Sequence, residues 1–228
     1  MNLQRLVDDI GATIRAHGAG AAVHDLALRA GNKVASIQVL KGMTVRMQDI
    51  RDPKLFEADG FEGRFVAHED LARYAEEGVH EFSTAFLRRA FARGDRCYAL
   101  FDGDTLASHG WYSNQPTSID DRLVLRFDGN YTYMYKGFTA PAYRGKRLHA
   151  VGMCRALRAV TEEGKAGLVS WVYSNNFASL KSTARMGYRI FGTAYAIRVG
   201  PLEFTYATPG CREYGFGLER ASLISKPA

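Results

Sequence analysis

The sequence predicts a mixed α/β fold, and three observations support it. Apolar residues recur at helical spacing in some segments and alternate at strand spacing in others, in the order helices, hairpin, strand, helix, strand, helix, strand. The central strand–helix–strand unit needs a crossover connection, which strand twist makes right-handed, so the sheet contains a locally parallel pair. The chain has 228 residues, 46% hydrophobic and 24% charged, enough for one large domain or one domain with an appendage. A chain of that length buries about 70% of its unfolded surface and needs no disulfide or metal staple.

The elements follow in order. Leu3, Leu6, Val7, Ile10 and Ile14 mark a first helix, which breaks at His17 to Gly20, and an alanine-rich helix runs from Ala21 to about Arg29. Met43, Val45 and Met47 alternate as in a half-buried strand. Residues 1–60 are therefore expected as accessory helices and a strand beside a main domain over 61–228. Phe65 and Val66 close a short strand before a helix near His68, and Phe82, Phe86 and Ala90 form a stripe that ends at Gly94. Two alternating runs flank Asp102-Gly103, a hairpin turn signal because glycine accepts the positive φ of a tight turn. Tyr131 to Thr139 reads as a strand ending before Pro141, and a helix follows from about Lys146 to Glu163. Leu168 to Tyr173 is a short strand, Asn175 or Asn176 caps the next helix, and Tyr188 to Val199 is another strand. One or two strands remain beyond it.

Composition narrows the function classes. No apolar run approaches the roughly 18 residues of a membrane span, and Asp8 and Asp9 interrupt the stretch where a signal peptide would be apolar. Cys97, Cys154 and Cys211 are odd in number and contain no C-x-x-C pair, which argues against a disulfide framework or cysteine zinc site and fits a reducing cytoplasm; no metal is expected. The net charge of +6 is concentrated. Phe138 to Arg198 holds ten basic residues against two acids, Glu162 and Glu163, a balance suited to an anionic ligand. Some of these bases, Arg155, Arg158, Lys165 and Arg189 among them, are equally read as a solvated helix face. Nucleic acid is disfavoured as a partner: no zinc-finger or ribonucleoprotein motif is present, and the bases gather at one phosphate-sized point.

That point is the turn after the strand at 131–139. A helix N-terminus leaves about four backbone N–H groups unpaired, and Gly145 allows a phosphate close to them. Arg144, Lys146 and Arg147 add full charges. The turn lacks the glycine patterns of nucleoside-triphosphate and dinucleotide loops, which disfavours kinase-type and dehydrogenase-type chemistry.

Here the sequence resembles the GNAT superfamily of acyl-CoA N-acyltransferases. The family's turn follows its fourth strand as Gln/Arg-x-x-Gly-x-Gly/Ala, and Phe138-Thr139-Ala140-Pro141 with Arg144-Gly145-Lys146 match it in kind. Asn176, Ser179 and then Met186-Gly187-Tyr188 match a second block on the helix after the fifth strand. The resemblance covers roughly residues 65 to 200. It implies a mostly antiparallel central sheet whose one parallel pair splays apart, with acetyl-CoA or a longer acyl-CoA as cosubstrate. Phosphopantetheine on an acyl carrier protein, carrying a long acyl chain, is the alternative donor. The acceptor it implies is a small-molecule or peptide amine.

Site residues follow from the same resemblance. The backbone of Phe138, Thr139 and Ala140 would pair with the pantetheine arm, and the Phe138 N–H would polarise the thioester carbonyl for direct attack by the amine. The amides of Gly145, Lys146, Arg147, Leu148, His149 and Ala150 would bind pyrophosphate, with Arg144 beside them. Asn176 and Ser179 would contact pantetheine, and Lys181 an outlying phosphate. Two departures stand out. Arg147 and His149 replace small residues of the family, and Thr183 stands where many members carry a tyrosine general acid, leaving Ser182 or Tyr173 as substitutes. His109 is the nearest candidate base, although a lone strand histidine is more often structural. Tyr131, Tyr133 and Tyr135 share a face and read either as an acceptor pocket or as cross-strand packing. A non-catalytic thioester-binding module of the same fold is the reading from a different class.

Overall fold

The computed structural model describes residues 3–221. Helices α1 (Leu3–His17) and α2 (Ala19–Gly31) lead into strand β1 (Ser36–Val45) and two 3-10 turns, Met47–Asp49 and Pro53–Phe56. Next come β2 (Glu62–Val66), α3 (His68–Glu77), α4 (Thr84–Ala92) and the hairpin of β3 (Arg96–Asp102) and β4 (Thr105–Ser113). The hairpin loop is Gly103–Asp104, one residue beyond the expected Asp102-Gly103, and Gly103 takes φ 54°. Short strands β5 (Thr117–Ser118) and β6 (Leu123–Arg126) precede β7 (Tyr131–Thr139), α5 (Leu148–Glu162), β8 (Gly167–Tyr173) and α6 (Phe177–Arg185). The chain continues through β9 (Arg189–Val199), β10 (Leu202–Ala207) and β11 (Gly217–Arg220).

Eight strands form one sheet in the order β10-β9-β1-β8-β7-β4-β3-β2, and β11-β6-β5 form a small second sheet. Every pairing in the large sheet is antiparallel except β7 with β8, joined by the α5 crossover. The fold is thus mixed α/β with a mostly antiparallel sheet and one parallel pair.

Strand β1 corrects one expectation. Read as part of an accessory segment, it lies instead in the sheet interior between β8 and β9, with Leu40, Met43 and Val45 wholly buried. Alternation identifies a strand and its faces but not its neighbours, so the sequence could not place it.

Side chains alternate across the sheet into separate cores. Tyr98, Leu100, Tyr112 and Met134 pack with Met153, Leu157 and Val160 of α5 on one face. On the other, Cys97, Phe101 and Trp111 pack with Leu71 of α3 and Leu87 of α4, while Tyr131, Tyr133 and Val169 pack against Leu123, Leu125 and Leu218 of the small sheet. The three cysteines are buried and unpaired, and no helix among the described residues is long and apolar enough to cross a membrane.

Candidate functional site

The parallel pair is short. Tyr131, Thr132 and Tyr133 of β7 pair with Gly167, Leu168 and Val169 of β8, and no pairing extends beyond them. The Ser170 hydroxyl donates to the Met134 carbonyl at 2.9 Å, the last bond across the pair. From there β7 runs on to Thr139 and β8 to Tyr173 without each other, so a gap opens between them at their C-terminal ends.

A bulge shapes the β7 side of this gap. Trp111 of β4 opposes Tyr135 and His109 opposes Phe138, which leaves Lys136 and Gly137 facing Gly110 alone. Lys136 takes φ 48°, an unusual conformation for a residue with a side chain, and both Lys136 and Gly137 are exposed where Tyr131 to Met134 are buried. The register also fixes amide directions. Ala140 N donates to Ala107 O at 2.9 Å, so alternation turns the Phe138 amide toward His109 of β4 and the Thr139 amide toward the gap. This corrects the expected role of the Phe138 N–H, which the β4 ladder consumes.

Past Ala140 the chain makes a 3-10 turn over Pro141–Tyr143 and reaches α5 through Gly145 (φ 85°) and Arg147 (φ 58°). These left-handed residues fold the turn so that the amides of Gly145 to Ala150 find no acceptor elsewhere among the described residues. A Cβ built on Gly145 would meet nothing within 4 Å, so the turn is open to a ligand. Together with the α5 dipole, these amides make the turn the candidate anion cradle, at the open end of the gap.

The basic segment divides in two around this cradle. Arg144 is exposed and unpaired among the described residues, Lys146 Nζ lies 5.3 Å and 5.4 Å from the ring centres of Tyr143 and Phe61, and Arg147 reaches Asp52 at 3.5 Å. Four of the other bases are engaged elsewhere. Arg155 donates to Phe56 O, Arg158 stacks on the Phe56 ring at 4.1 Å, Lys165 donates to Gly129 O, and Arg189 pairs with Asp49 at 3.1 Å.

The remaining candidates scatter. His109 is 2% exposed; its Nε2 lies 3.1 Å from the His80 carbonyl, and its ring stacks on Phe138 at 5.7 Å. Burial pushes its pKa down to about 3. It lies against the α3–α4 face, away from the gap, as a structural histidine and not an accessible base. Tyr131, Tyr133 and Tyr135 do share a face, but the first two are core, and Tyr133 stacks flat on Tyr135 at 5.4 Å.

On the other wall, Asn176 caps α6 by accepting from Ser179 N at 3.1 Å, so these two residues engage each other. Thr183 Oγ1 donates to Leu180 O, and Ser182 and Lys181 point to solvent. Tyr173 is 41% exposed at the end of β8, beside Trp171 at 4.9 Å; burial, then the Asp120 charge, raises its pKa. Leu148 and Ala150 are buried under the cradle, and Thr139 Oγ1 lies 3.0 Å from Ser108 Oγ.

The sequence reading passed over two features. Buried Asp95 accepts from Arg93 and from the Tyr135 hydroxyl, a network that grips β7 one residue before the bulge. The Lys136-Gly137 pair inside an aromatic run was the available signal for that bulge. Second, α2 holds the β8–α6 turn: His24 Nε2 is 2.9 Å from Ser174 Oγ, and Asn175 donates to Asp25 at 3.1 Å.

No protein-family model and no curated protein matches the sequence. Among solved structures, a GCN5-related N-acetyltransferase from Kribbella flavida is 16% identical, with a TM-score of 0.50 over 78% of this chain and 64% of that one. An acetyltransferase from the GNAT family from Colwellia psychrerythraea is 14% identical, with a TM-score of 0.47 over 74% and 56%. The chain thus spans less than two thirds of the length of either. Taken with the sheet order and the gap between β7 and β8, the Kribbella likeness shows that this chain has the fold of the GCN5-related N-acetyltransferases, the GNAT fold.

Proposed function

We propose that the chain transfers an acyl group from a coenzyme A thioester to an amine. One observation carries this reading: free amides at the α5 N-terminus stand at the same end of the sheet as the gap between β7 and β8. A phosphorylated arm seated on the amides of Gly145 to Ala150 runs into the gap beside Thr139, whose amide polarises the thioester carbonyl. The amine attacks that carbon, the C–S bond breaks, and the thiolate takes a proton. Tyr173 is the proposed donor, as the hydroxyl-bearing side chain at the exposed C-terminal end of β8. The amine proton then restores it. Arg144, Lys146 and Arg147 neutralise the phosphates. In this reading the domain begins at β1, and α1 and α2 are an appended clamp on the β8–α6 turn.

Calorimetric titration with acetyl-CoA tests the donor site. Gly145→Asp places a carboxylate in the cradle and strains a φ of 85°, and we expect at least a hundredfold weaker binding. Equal affinity would eliminate the cradle. Parallel titration with acylated carrier protein separates the two phosphopantetheine sources. The burial of His109 and the engaged Thr183 hydroxyl favour a second reading, a thioester-binding module without turnover. It predicts donor binding with no CoA release across a panel of amines.

A further inference from the structure

The two edges of the large sheet are finished differently. At one edge, β2 carries Glu62, Gly63 and Arg64, and Arg64 pairs with Asp70 at 3.4 Å. Charges of this kind keep an edge strand from recruiting another. At the other edge, β10 has no lysine, arginine or proline, and its six pairs with β9 run without a bulge. Glu203 is its one charge, and Arg122 holds that carboxylate at 3.2 Å.

The strand is bare on its rim and on one face. Thr208 N donates to Thr193 O at 3.0 Å, so alternation turns the N–H and C=O groups of Phe204 and Tyr206 toward β9 and those of Glu203, Thr205 and Ala207 outward. Among the described residues no strand lies beyond β10 to meet them. The Glu203 carbonyl accepts from the Arg220 guanidinium and keeps a second lone pair. Ala194, Ala196 and Ala207 face the small sheet. The opposite face carries Ile197, Val199, Leu202, Phe204 and Tyr206, each between 37% and 63% exposed. Together these five expose roughly 600 Å², the upper end of what a monomer leaves in one apolar patch. With the outward backbone they approach the about 800 Å² that each partner contributes to a standard interface.

We propose that β10 is a dimer interface: a second copy of this chain lays its own β10 antiparallel to the first across a twofold axis, joining two eight-stranded sheets into one. The strand is its own complement. With Phe204 on the axis, Leu202 faces Tyr206 of the second copy, apolar against apolar, and Glu203 faces Thr205, so no like charges meet. The outward groups of Glu203 and Thr205 then form two pairs that exchange two main-chain bonds each, which a lipid surface cannot supply. Strands β9 and β1 separate this edge from the gap, and the dimer does not depend on the donor reading.

The test is sedimentation velocity of the full chain. Wild type is expected to pass from monomer to dimer within a series reaching about 100 μM, the weak end for an interface of this size. Phe204→Glu sets two carboxylates against each other on the axis, and Thr205→Pro deletes an outward N–H without touching the β9 ladder. Each weakens dimerisation at least tenfold, with circular dichroism and melting as in wild type. Phe204→Cys forms a disulfide-linked dimer on mild oxidation, because Cα atoms paired at that position lie about 4.5 Å apart. Leu202→Cys does not, since its two copies stand about 13 Å apart along the strands. The three native cysteines are buried and do not compete. A wild type that stays monomeric throughout overturns the proposal, including one that instead binds phosphatidylcholine vesicles. So does a dimer indifferent to Phe204→Glu or to Thr205→Pro.

Discussion

The two halves of β7 differ more than their shared aromatic sequence suggests. Tyr131 to Met134 are buried; Tyr131 to Tyr133 pair with β8, and Tyr133 and Met134 pair with β4. Lys136 to Thr139 are exposed or half-buried, bulged, and paired on one side only. The difference comes from the Lys136–Gly137 bulge and the loss of β8 as a neighbour, not from hydrophobicity. One strand thus supplies core in its first half and a reactive edge in its second, and the rigid half positions the open one.

Substitutions can break or sharpen that contrast. The largest effect is expected in the paired half, where Tyr133→Ala leaves a cavity between the two sheets. It should cost about 4 kcal/mol by urea denaturation, and a loss below about 1 would mean the half is not core. The next effect depends on pH. His109 backs the open half through Phe138 and stays neutral down to about pH 3 when folded, whereas its unfolded counterpart protonates near the ordinary imidazole value of 6.5. The unfolded state therefore binds more protons between these values, and stability falls as pH drops through that window. About 3 kcal/mol should be lost between pH 7 and pH 4, and His109→Gln should flatten the curve. His80 and His149 shift in the same direction and will leave some slope. The smallest effect belongs to the bulge itself. Lys136→Gly relieves a φ of 48° and should raise stability by about 0.5 kcal/mol; a clear loss would show that the Lys136 side chain, near the Phe86 ring at 5.2 Å, matters more than its backbone.

What the sequence disclosed follows the range of the forces involved. The bounds of β7, the α6 cap to within the Asn175–Asn176 pair and the turn at Arg144 to Arg147 rest on local patterns of period, capping and glycine, and all were readable. The place of β1 beside β8 was not, because strand pairing joins residues about 130 apart and leaves no local trace. For His109 the structural reading was the more frequent one, but its partner, the His80 carbonyl, sits 29 residues away and left no local trace. The Phe138 and Thr139 amides were transposed for a smaller reason: a single bulge residue inverts which amides point outward, and sequence does not count the bulge.

The central position of β1 has a consequence for how this molecule is made. Ribosomal synthesis delivers Ser36–Val45 early, yet both strands that hydrogen-bond to it, Gly167–Tyr173 and Arg189–Val199, emerge more than a hundred residues later. Until then β1 is an apolar ribbon with both edges bare, vulnerable to self-association. The sheet cannot close before β9 has emerged, so its completion is expected to be slow, with β1 waiting for the β8–β9 region.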